Sequence, residues 1–367
     1  MSLKTAHSSK LLPEAVADLK RGCGNLAPRA ILCFASTKYD PAALSAQMQG
    51  AFPDACLVGC TTAGEIAGGT MMNGSVVAMF LDEDIVEDAG AAVVHNLRGA
   101  ISVREAFVEL ENHFRRPISS MDIRKHVGVV LADGLSGAEE KLMERIGDCT
   151  DLTFVGGSAG DDLKFKQTHV LAKGQAHTDA AVLLLLRLKR GFEIIKTQSF
   201  KVTGKQLVAT KVDEASRTVL EFDGVPAVEA YAKTLGVVPE EIQSHFRDHP
   251  LGLMIDGEPF VRSPQRRDGG SIVFYCQIKE GMELQLLEAT DIVAATRSAV
   301  EGRKKALGRV AGVIDFQCIL RAQQLRAEGR CDQYGAVFSG FPSVGFSTYG
   351  EEYLGHINQT STMLVFR

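Results

Sequence analysis

No stretch of the chain is apolar for long enough to cross a bilayer. The longest apolar run, AAVLLLLRL at 180–188, is cut by Arg187 and falls far short of the roughly 20 residues a spanning helix needs. It reads instead as a buried strand. The opening MSLKTAHSSK lacks the charged-then-apolar order and the small-residue cleavage site of a secretory signal, which points to a cytoplasmic protein. Cys-x-x-Cys is absent too. Eight cysteines, at 23, 33, 56, 60, 149, 276, 318 and 331, are scattered without the pattern of a disulfide framework, so reduced thiols are expected. A net charge of −5 argues against a nucleic-acid partner. The two basic patches, RSPQRR at 262–267 and GRKKALGR at 302–309, read as solvated faces. Neither GxxxxGKS/T nor GxGxxG occurs, so the phosphate-loop and dinucleotide fingerprints are missing.

What is present is a repeat. ILCFAS at 31–36 reads as a strand, and PAALSAQMQGAF as a helix with Asp40 as N-cap and Pro41 at its first position. VGCTTAGE follows at 58–65, then the strand SVVAMFL at 75–81. HVGVVLADG, the helix SGAEEKLMERIGD opened by Ser136, VGGSAGD at 155–161 and AAVLLLL repeat that order. AGVIDFQCIL at 311–320, the helix RAQQLRAEG, VGFSTYGE at 344–351 and TSTMLVF repeat it again. Each turn is Val-Gly, one variable residue, Ser or Thr, then Gly and an acid. Three such copies indicate one repeated strand-helix-strand unit, and predict a mixed α/β fold of layered sheets with helices outside.

At 367 residues the chain exceeds what one core usually supports, so two domains or one large layered unit are expected. The material between the second and third copies differs from both. Residues 201–224 read as a hairpin with a turn at Asp223-Gly224, VPAVEAYAKTLG as a helix from Pro226 to a Gly236 cap, and 252–261 with 271–278 as a strand pair. A long helix is predicted over 287–307, beginning near Thr290. These features divide the chain into regions 1–200 and 201–367.

Glycines flanking small hydroxyl residues let a backbone approach a partner closely. Thr61, Thr62, Gly64, Glu65, Ser158, Gly160, Asp161, Ser347, Thr348, Gly350 and Glu351 thus form a candidate pocket for a small polar ligand with an amino group, the acids at its rim. The same groups equally suit satisfying the turns themselves. Gly156 to Gly160 also fits G-x-S-x-G, with Ser158 as nucleophile and Asp256 and His356 in hydrolase order, but the sister turns and the following DDLKFK do not support it, and no enzymatic role is expected. His245 and His249 lie one helical turn apart without the glutamate of a zinc helix, and Cys56 and Cys60 need not converge, so no metal site is expected there. His356, in GHINQTST, falls at a strand mouth beside the third turn, where it serves the fold or offers an imidazole nitrogen to a ligand or haem iron.

In order, VGCTTAGEI, VGGSAGDDLKF, HTDAAVLLLL, EFDGVPAVEAY, HPLGLMIDGEPFVRSP, DFQCILR, GFPSVGFSTYGEE and HINQT resemble the FIST sensory proteins, over roughly residues 25 to 366. The resemblance implies N- and C-terminal FIST regions in tandem and a module of bacterial signal transduction that binds small molecules such as amino acids. More narrowly, the chain is similar to the NosP group of nitric-oxide-sensing haem proteins. That likeness implies His356 as axial ligand of a haem, and regulation in trans of a partner histidine kinase, diguanylate cyclase or phosphodiesterase; a homodimer is left open. Without Cys-x-x-Cys-His the haem would be b-type. Met71, Met72, Phe338, Phe341 and Phe346 are at hand to line its slot.

Overall fold

A computed structural model describes residues 2–367. The fold is mixed α+β, with helices around several mixed sheets. Contacts divide the chain into two compact units that are discontinuous in sequence. One comprises residues 1–197, 296–356 and 361–367; the other comprises 198–295 and 357–360. No helix of the described residues is long and apolar enough to cross a membrane.

The first unit contains all three copies of the repeat, and each copy organises one six-stranded sheet. The first sheet runs Leu3–Ser8, Val76–Leu81, Ala30–Ser36, Cys56–Thr62, Val170–Ala172, Gln175–His177. The second runs Val86–His95, Ala180–Leu188, His126–Ala132, Phe154–Ser158, Glu351–Tyr353, His356–Ile357. The third runs Phe192–Gln198, Thr360–Phe366, Gly312–Cys318, Ser343–Thr348, Glu65–Ala67, Thr70–Met72. In every sheet the two strands joined by the helix pair in parallel, and the closing strand pairs antiparallel to the first. Strand-helix-strand units require that parallel crossover.

The last two strands of each sheet are foreign to its repeat. The hairpin after the first turn, Glu65–Met72, pairs with the third repeat's Ser343–Thr348. The hairpin after the second turn completes the first sheet against Cys56–Thr62, and the strand after the third turn completes the second against Phe154–Ser158. The three repeats therefore exchange hairpins in a closed ring. Their inward faces share one apolar core, which includes Phe34, Val129, Val155, Phe316 and Phe346.

Local signals hold in most places. Asp40 caps the helix Pro41–Ala51, accepting from the Ala43 N–H at 2.7 Å. The second repeat's helix is Glu139–Gly147 and starts three residues beyond Ser136, whose Oγ accepts from the Ala138 N–H. The long helix is Ile292–Leu307, because Leu287 to Ala289 belong to the strand Glu283–Ala289.

The second unit has its own core around Phe222, Tyr231, Phe246 and Leu284. Its hairpin pairs Phe200–Asp213 with Thr218–Phe222, and Asp223-Gly224 then turns the chain into Val225–Pro226. The helix Ala227–Leu235 ends at a left-handed Gly236 as predicted. The region 251–274 folds as two hairpins rather than one pair of strands.

Candidate functional site

The three glycine turns meet inside the first unit and bond directly to one another. Backbone N–H groups of Gly160, Tyr349 and Ala63 donate to the carbonyls of Thr61, Ser158 and Ser347, at 2.9, 3.1 and 3.2 Å. Each turn thus accepts from the next around the ring. The glycine of each Val-Gly pair serves this closeness: a Cβ on Gly59, Gly156 or Gly345 would lie 1.9, 1.7 or 2.2 Å from the carbonyl oxygen of Cys33, Val130 or Asp315 on the adjoining strand.

The acids that close the motifs are not at a rim. Glu65 and Glu351 are fully buried. Thr62 donates its hydroxyl to Glu65, as Thr348 does to Glu351 at 2.6 Å, and Ser75 gives Glu65 both its N–H and its hydroxyl. Burial pushes the Glu65 carboxyl up to about 7, against those hydrogen bonds. Burial also opposes the charge of Asp161, yet the Tyr349 hydroxyl and the N–H groups of Lys166, Gln167 and Phe165 outweigh it and hold its pKa low. Glu65 and Glu351 thus satisfy their own turns, and Asp161 also ties the second turn to the third through Tyr349.

Ser158 donates to Glu352 at 2.7 Å, with Glu139 at 3.3 Å, and is fully buried. A nucleophilic serine instead needs an imidazole to take its proton. His356 lies against the third turn: its Nδ1 is 3.8 Å from Glu352, and its Cε1 occupies the space beside Gly350 that a Cβ would need. Burial raises the Glu352 pKa, partly offset by His356 and Ser158. The apolar residues at hand for a haem fall in different places. Phe346 and Met72 pack on the central core, Met71 on a small cluster with Ile319, and Phe338 between Tyr334 and Phe341. Together they do not fit a haem slot beside His356.

Polar groups without partners collect elsewhere, on the outer face of the third repeat's sheet. Register places Asp315 and Gln317 on that face, beside Ser343, Ser347 and Ser361. The corresponding residues are Cys33, Ala35, Leu57 and Val76 in the first repeat, and Val130, Ala132, Phe154 and Ala181 in the second, all packed in apolar clusters. Only the residue in the Ser347 position is polar in all three, as Thr61 and Ser158, and both of those have partners.

The helix Ile319–Ala327 brings Arg321 to this face, buried to 2% exposure. Its Nη2 donates to Thr296 Oγ1 at 2.8 Å. Asp315 accepts from Tyr334 at 2.8 Å and Ser361 at 2.6 Å. Burial pushes the Asp315 carboxyl up to about 6, opposed by those hydroxyls and by the Arg321 charge. Among the described residues, Arg321 Nε and Nη1, Gln317 Nε2 and Oε1, Ser343 Oγ and Ser347 Oγ are buried without a hydrogen-bond partner. An unpaired buried polar group costs about 1–3 kcal/mol.

Of this set, sequence reasoning singled out Ser347 alone. The signal it passed over was the alternation in VIDFQC, where Asp315 and Gln317 stand at positions its sister strands fill with apolar residues.

Family models match the FIST N domain over residues 29–225 and the FIST C domain over 227–353. The chain belongs to the FIST family. FIST domains are sensor domains of signal transduction. Asp315, Gln317, Arg321, Ser343 and Ser347 of the polar face lie in the part matched by the FIST C model, and Ser361 lies beyond it. The FIST chain is also similar to an uncharacterized protein of Methanocaldococcus jannaschii, 25% identical over 266 residues. That match covers 68% of this chain and 51% of the relative, so the chain spans about half the length of the curated relative it matches.

Proposed function

We propose that the chain is a cytoplasmic, non-enzymatic receptor for a small amino-acid-like metabolite, held on the third repeat's outer face by Arg321, Gln317 and Ser347, and that occupancy regulates a partner protein in trans. One observation carries this reading: partnerless polar atoms gather on a face whose sister positions are apolar except for Thr61 and Ser158, which have partners. A ligand that pairs with them recovers the cost of burying them. Thr296, which accepts from Arg321, lies on the helix Ile292–Leu307, so occupancy bears on that helix. Screening the full chain by thermal shift against a metabolite library tests it. A hit should bind Gln317→Leu/Ser347→Ala at least tenfold more weakly, while equal binding would remove the site.

A second reading, in which a b-type haem would be held by His356 and the chain would answer NO by controlling a histidine kinase or cyclic-di-GMP enzyme, rests on one feature, a buried imidazole beside a carboxylate, and would need a lining other than Met71, Met72, Phe338, Phe341 and Phe346. Titration with hemin decides between the two. A Soret band that saturates near one equivalent and disappears in His356→Ala would favour haem over the metabolite.

A further inference from the structure

We infer that the ligand of this face is recognised through a single carboxylate, bound by the guanidinium of Arg321. The inference rests on the reading of this face as the ligand site. A guanidinium carries five N–H donors and no acceptor, and one of its nitrogens is held by Thr296. Donors on the other two, Nε and Nη1, are buried without an acceptor. A planar carboxylate pairs with two donors on one edge of a guanidinium, Nη1 with Nη2 or Nε with Nη2, so it engages one of the two partnerless nitrogens together with the second N–H of Nη2, and a charged acceptor gives the stronger hydrogen bond. The Asp315 carboxylate, which feels the Arg321 charge, does not fill the role: it is engaged by Tyr334 and Ser361, and no ion pair joins it to Arg321 among the described residues. Asp315 also restricts the ligand. Its carboxylate faces the same cluster and repels a second negative charge, which disfavours a phosphate dianion and suits a remainder that is neutral or cationic. Gln317 and Ser347, each able to donate and accept, are neighbours in register and remain for that remainder.

Thermal shift and calorimetric titration of the full chain with acetate, acetamide and inorganic phosphate at matched ionic strength provide the test. Acetate should raise the Tm saturably and the other two should not. Arg321→Met should weaken the acetate response at least tenfold, yet melt no lower than the parent without acetate, because it removes buried donors that have no acceptor. A purely structural arginine would instead give a large drop in Tm. If Arg321→Met does not fold, Arg321→Gln serves, and an undiminished acetate response in either variant overturns the inference. So does equal stabilisation by acetamide. Hydrogen exchange separates this failure from that of the parent reading. A neutral library compound that protects Gly312–Ala327 where acetate does not would leave the site standing and end the carboxylate assignment. Protection by no compound would end both.

Discussion

At the scale of single residues, the turns are built from glycines that make room and acids that close on their own hydroxyls. Gly345 shows the first point, since a Cβ there would stand 2.2 Å from the Asp315 carbonyl oxygen. Gly345→Ala is expected to cost about 2–4 kcal/mol in urea unfolding. Gly50→Ala is the control: it lies in the helix Pro41–Ala51 with nothing within 4 Å of a new Cβ. It should gain about 0.5–1 kcal/mol. Glu65 shows the second point. Its carboxyl titrates near 4.5 in the unfolded chain and near 7 in the folded one, so between those values the unfolded chain releases a proton that the folded chain keeps. The contribution of Glu65 to stability therefore declines as pH rises from about 4.5 to about 7, and is level outside that window. The stability of the parent relative to Glu65→Gln should fall by on the order of 3 kcal/mol across it. A constant difference would show that burial does not raise the carboxyl. The motif letters made these positions visible from the sequence. They did not say that the hydroxyls and acids serve one another, because burial depends on which chains come to surround the turn.

At the scale of elements, strand and helix placement followed from periodicity and caps, and most predicted segments exist. The ownership of the short hairpins did not. A three-residue strand such as Glu65–Ala67 carries too little pattern to say which open sheet edge it fills, and its partner lies far along the chain at Ser343–Thr348. The exchange makes the repeats depend on one another. Ile66→Pro removes a backbone donor opposite Gly345 and places a ring in a buried strand. Hydrogen exchange should then quicken at Ser343–Thr348 as well as at Glu65–Met72. Loss of protection confined to Glu65–Met72 would show that the third sheet stands without its borrowed strands.

At the scale of the whole molecule, the sequence changes pattern after the second repeat, while the compact units follow a different line. The third repeat lies beyond residue 300 and still belongs with the first two, because its inward face shares their core and its hairpin completes the second sheet. Contiguous sequence regions cannot express that. The lent hairpins have one more consequence. A lone repeat of this kind would hold out two strands to a neighbour and keep an empty edge for another's, the connectivity of a three-membered ring; because the three members lie in one polypeptide they need not be identical, and the third carries Asp315, Gln317 and Ser343 on its outer face while its inward face still joins the shared interior.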